Sequence, residues 1–185
     1  MSRIFNVLVG FGLGFLILAI ATGLPLLSSD IRDPADRATQ RSLAIHRMSG
    51  IAAGMALLLV NCVVVTYFIG TSRWCREVSE TYVLGDRFID ASSRLKRRTF
   101  PASLAAIVTV IGIAALGAAA DPMTGTPPTT SGLSWGTLHL LAACAGLAII
   151  GVACFVQSAN LRANHEVITG VLAEVHRIRH ERGLE

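Results

Sequence analysis

The chain has 185 residues, 52% hydrophobic and 15% charged, with a mean hydropathy of +0.59 and a formal net charge of +4. So apolar a composition excludes an ordinary soluble domain with a mixed polar surface. The basic balance does not point to nucleic acid, because Lys and Arg gather beside apolar tracts, where anionic lipid headgroups account for them.

Four tracts free of Asp, Glu, Lys and Arg are long enough to cross a hydrocarbon core roughly 30 Å thick as helices. The first, residues 4–27, exceeds the apolar core of a signal peptide and is expected to remain as a spanning helix. The connection from Ser28 to Ser42 then balances Arg32, Arg37 and Arg41 against Asp30, Asp33 and Asp36. The second tract, residues 48–70, carries Asn61 near its middle, a position that predicts a hydrogen bond between helices. Tyr67 and Trp74 near its end, and Trp135 further on, read as interfacial anchors.

The next segment holds Arg73, Arg76, Arg87, Arg94, Lys96, Arg97 and Arg98. Within it Val83, Phe88, Ile89 and Leu95 predict a short interfacial helix before Pro101, which suits the first turn of the third span. That span covers residues 102–120 and is followed by a turn-rich stretch from Asp121 to Gly132 with no basic residue. The fourth span covers residues 135–159. In the tail, residues 160–185, Val167, Ile168, Val171, Leu172, Val175 and Ile178 recur at helical spacing as an apolar stripe. That stripe lies on the membrane surface, continues the fourth helix over its own bundle, or docks another subunit.

Basic residues are retained on the cytoplasmic side of short loops. The expected fold is therefore all-α: one integral membrane domain, a four-helix bundle of up-down-up-down topology with a cytoplasmic amphipathic C-terminal helix. Both termini are placed in the cytoplasm, and a bacterial inner membrane is the expected location. Cys62, Cys144 and Cys154 lie inside spans without CxxC or zinc-type spacing, so no disulfide framework is implied.

Of five histidines, His165, His176 and His180 belong to the polar tail, whereas His46 and His139 sit at the membrane ends of the second and fourth spans. An ionisable residue there reads by default as functional. Helices two and four enter from the same face, so the two imidazoles share a side. Such a pair, as metal ligands, forms the axial set of a haem b. Gly50 and Gly54 after His46, and Ala143 and Gly146 after His139, keep both helix faces small enough for a flat macrocycle. Arg47 and Arg41 are placed to pair with haem propionates. The alternative is that the small residues serve close helix packing and the histidines bond a carbonyl or a lipid headgroup.

At Ile45-His46-Arg47-Met48-Ser49-Gly50 and again at Leu138-His139-Leu140 the chain resembles one half of a heme A synthase, whose four-helix halves hold haem between histidines on their second and fourth helices. Leu43 stands where that family has a glutamate, so the resemblance implies the haem-holding scaffold without oxidation of a haem methyl group. The segment Ser42 to Gly50 also resembles the Ser-x-x-His-Arg-x-Ser-Gly signature of succinate dehydrogenase cytochrome b anchors, with one extra residue after Ser42. That likeness implies a neighbourhood of haem and quinone.

The expected function is thus a haem b-binding, non-catalytic subunit of a larger membrane electron-transfer complex, with other subunits and quinone as partners. A cofactor-free structural or assembly subunit is the competing reading. A transporter is disfavoured, since the spans hold no charged residue to form an ion path.

Overall fold

The computed structural model of the chain describes residues 2–27, 37–121, 124–130 and 132–184. Its helices are α1 (Ser2–Gly23), closed by a 3₁₀ turn at Leu24–Leu27, then α2 (Arg37–Tyr82), α3 (Arg87–Ala120) and α4 (Trp135–Glu181). Among the described residues there is no strand. All four helices are long and apolar enough to cross a membrane. The charges expected at Asp30, Arg32, Asp33 and Asp36, and Pro122 of the turn-rich stretch, lie outside the described residues.

The helices pack as a bundle, α1 on α2, α2 on α3 and α3 on α4, with α1 also touching α4. Its core is built from Leu57, Val60, Val64 and Phe68 of α2, Ala106 and Val110 of α3, and Ile150, Ala153 and Cys154 of α4, with Phe5 and Leu16 of α1 against them. The outward faces are as apolar as the inner ones. Met55 is 69% exposed and Phe155 72% exposed. A hydrocarbon solvent removes the cost that water would impose on such faces, while the helical backbone satisfies its own polar groups.

Two features depart from the sequence-based expectation, and a third selects among its alternatives. The helices overrun their apolar tracts: α2 has 46 residues and α4 has 47, each roughly 70 Å long and twice the thickness of a hydrocarbon core. The segment read as a separate interfacial helix is the first part of α3, so Pro101 lies inside that helix and not in its first turn. The carbonyl that loses its partner to proline belongs to Arg97, on an exposed turn where water can bind it, which lowers the usual penalty. Finally, the tail continues α4 without a break. Val171 of its stripe is fully buried, and Gly170 lets Phe88 of α3 approach to 3.0 Å from where a Cβ would stand. The chain's own helices thus cover the stripe at Val171, whereas Leu172 beside it is 46% exposed. Between α2 and α3 the chain reverses through Gly85 at φ 78°, a conformation that costs glycine little.

Polar side chains tie the buried seam. Gln157 of α4 donates from Nε2 to Asn61 Oδ1 of α2 at 2.8 Å and to Ser103 Oγ of α3 at 3.0 Å. Asn61 therefore bonds between helices, as its mid-span position predicts. One turn further on, Asn160 donates to Thr99 Oγ1 at 2.9 Å, and Asn164 donates to Tyr67 Oη at 3.2 Å and Thr71 Oγ1 at 3.1 Å. Hydrogen bonds of this kind between membrane helices contribute about 0.6 kcal/mol each on average. Gln157→Leu removes two of them and leaves Asn61 Oδ1 without that donor, so it is expected to cost about 1 kcal/mol. A lowered thermal midpoint in detergent would bear this out, and an unchanged or raised midpoint would contradict it.

Candidate functional site

Two histidines from different helices meet at one end of the bundle. His46 lies in the third turn of α2, and His139 lies in the second turn of α4, just past the helix start. That start is fixed locally: Ser134 caps it, its Oγ accepting the Thr137 N–H at 3.1 Å, and Trp135 Nε1 donates to the Pro127 carbonyl at 2.8 Å. The imidazole centroids are 6.0 Å apart, with ring planes at 87°.

Each ring is pinned by the helix that precedes its own. His46 Nδ1 is 2.8 Å from the Ala19 carbonyl of α1, and His139 Nδ1 is 3.1 Å from the Ile113 carbonyl of α3. A carbonyl only accepts, so Nδ1 carries a proton in both rings, which in a neutral imidazole leaves the lone pair on Nε2. Access to those carbonyls depends on glycine. A Cβ at Gly23 would stand 2.8 Å from His46 Cε1, and one at Gly117 would stand 2.9 Å from His139 Cε1. In both hairpins the glycine follows the accepting carbonyl by one helical turn: Ala19 then Gly23, Ile113 then Gly117. The two halves of the chain thus build the same clasp.

The other sequence-predicted residues are distributed unevenly around the pair. Gly50, one turn beyond His46, has nothing within 4 Å of its missing Cβ, and Gly54 meets only Val110 at 3.8 Å. Ala143 is buried beneath His139. Gly146 opens onto no space: a Cβ there would lie 2.5 Å from Ile113 and 2.9 Å from Thr109, so it brings α3 against α4. Arg47 reaches Asp121 at 2.6 Å, linking α2 to the C-cap of α3. That cation offsets an anion placed where the helix dipole disfavours it. Arg41 is exposed in the first two turns of α2.

Among the described residues, no group of three or more His, Cys, Asp or Glu side chains converges to hold a metal ion. Among the described residues, the two imidazoles stand without a third such donor beside them.

Compared with known proteins, the chain matches no family model, no curated protein and no solved structure.

Gly23, Gly117, Asp121 and Gln157 were not singled out by sequence reasoning. The signal for the first two is the near-equal spacing from Gly23 to His46 and from Gly117 to His139, visible only once the two hairpins are laid over one another. The tautomer is directly measurable. In ¹⁵N-histidine NMR of the purified protein, His46 and His139 are expected as Nδ1–H tautomers, lost for one ring in Gly23→Ala and for the other in Gly117→Ala. Nε2–H tautomers in the unsubstituted protein would contradict the clasp.

Proposed function

We propose that this protein is a haem b-binding membrane subunit of a multi-subunit electron-transfer complex, with one haem held between His46 and His139. One observation carries the reading: two imidazoles with Nδ1 already bonded stand 6.0 Å apart, and among the described residues neither Nε2 has a hydrogen-bond partner. Two rings sharing one metal through bonds of about 2 Å have centres roughly 6 Å apart. Backbone bonding at Nδ1 is also how metal-ligating histidines are commonly oriented and made better donors.

When bound, the haem would supply one-electron exchange. The chain's own contribution is to hold and orient. The carbonyls of Ala19 and Ile113 set the tautomer and the ring planes, and Gly50 and Gly54 leave room on the α2 face. Arg47 and Arg41 place positive charge at this end, where propionates would lie, with Arg47 shared between them and Asp121.

The up-down-up-down topology has support in the contacts. The end of α1 meets the start of α2 at Gly23 and His46, while Gly12 meets Leu57 further along; α3 and α4 repeat the pattern at Gly117 with His139 and Thr109 with Gly146. Arg73, Arg97, Arg98 and Arg162 then gather at the end away from the histidines, which the retention of basic residues assigns to the cytoplasm together with both termini. In this reading the pair faces the outer side of a bacterial inner membrane. One haem at one face cannot relay electrons across roughly 30 Å of hydrocarbon, so other subunits are implied and quinol is a fitting donor. An assembly role resting on the tail's stripe has less support, because Val171 is buried within the chain itself.

Protein purified from a host supplied with haem is expected to show a reduced-minus-oxidised b-type spectrum. His46→Ala and His139→Ala should each abolish it while helical circular dichroism is retained. A colourless preparation would reject the reading.

A further inference from the structure

We infer that the exposed face of α3 at Arg94, Arg97 and Arg98 is a binding site for an anionic phospholipid. This inference is independent of the histidine pair. On its buried face α3 presents Ser92, Thr99, Ser103 and Ala106 to the bundle. On the opposite face Asp90, Arg94, Arg97 and Arg98 follow one another at helical spacing and line a surface cleft of about 380 Å³.

Three observations select the ligand. First, the guanidiniums stand at the edge of the hydrocarbon. The charge-free tract begins at Thr99, and the face below the arginines continues through Pro101, Ala105, Val108 and Gly112, all exposed and with no polar group between them. A headgroup and its chain would find charge and then an apolar helix face along one line. Second, these arginines have no ion-pair partner among the described residues. Arg73 and Arg87 reach Glu77 and Glu174 at 2.8 and 4.0 Å, and Arg177 reaches Glu174 at 2.7 Å. Among the described residues, Arg94, Arg97 and Arg98 have no carboxylate within 4.0 Å, although Asp90 lines the same cleft. Third, three guanidiniums against one carboxylate leave the cleft net positive. Guanidinium forks match phosphate oxygens bidentately, and the positive field disfavours the ammonium of a zwitterionic headgroup.

The phosphodiester of a lipid and free phosphate share the recognised chemistry; the adjoining apolar helix face favours the lipid. The protein, delipidated in an uncharged detergent, is titrated with dioleoyl phosphatidylglycerol, with dioleoyl phosphatidylcholine and with sodium phosphate, and bound lipid is read by native mass spectrometry. Phosphatidylglycerol is expected to bind at least about tenfold tighter than phosphatidylcholine. The triple variant Arg94→Gln, Arg97→Gln, Arg98→Gln should fall to the phosphatidylcholine level. A control triple of equal charge loss, Arg73→Gln, Arg76→Gln, Arg162→Gln, should keep the preference. Equal binding of the two lipids by the unsubstituted protein would overturn the site whatever the variants do. So would equal loss in the control, which would mean diffuse charge attraction, or displacement of the lipid by millimolar phosphate, which would mean a soluble-anion site.

Discussion

A helix carbonyl has two lone pairs, and the intrahelical hydrogen bond uses one. At Ala19 and Ile113 the carbonyl also accepts from an imidazole of the next helix, and nearly everything distinctive about the histidine end of this bundle follows from that bond. The N–H that an α-helix directs at those carbonyls comes from the residue four positions on, Gly23 and Gly117 respectively. Only a residue without a Cβ lets the ring come alongside. The bond then fixes the tautomer, turns each ring about its own axis and leaves one nitrogen of each histidine free to act as a donor.

Because the two hairpins α1–α2 and α3–α4 carry the same device, the bundle behaves as two related halves that each present one imidazole. α2 and α4 meet through this pair near one end and through Asn61 and Gln157 deeper in the bundle. The polar seam from Asn61 to Asn164 holds three helices in register below the pair, and the long extensions of α2, α3 and α4 carry that packing well past the apolar tracts. A frame anchored at depth can keep two rings at a set separation, which is what a shared iron would need from its protein.

The four spans were legible in the sequence because charge-free length is a one-dimensional signal, and the histidines stood out because ionisable side chains at span ends are uncommon. Asn61 was legible because a polar side chain in mid-span is uncommon, but its partner Gln157 was not picked out beside it. The helix lengths were less legible. Pro101 and the basic run before it read as a boundary, whereas tertiary packing of Ser92 and Thr99 against the neighbouring helices carries α3 straight through. The tail stripe was correctly apolar, but its spacing alone could not say whether lipid, another chain or this chain covers it. Small residues gave mixed guidance. Gly146, which looked like room beside His139, brings α3 close, whereas Gly23 and Gly117 lie on helices that carry no histidine and so drew no notice.

The most direct test of the account is the electron paramagnetic resonance spectrum of the oxidised protein supplied with haem. Imidazole planes at 87° on one iron should give a strongly anisotropic low-spin ferric signal. A high-spin signal, or a low-spin signal that survives His139→Ala unchanged, would contradict a haem shared by the two histidines.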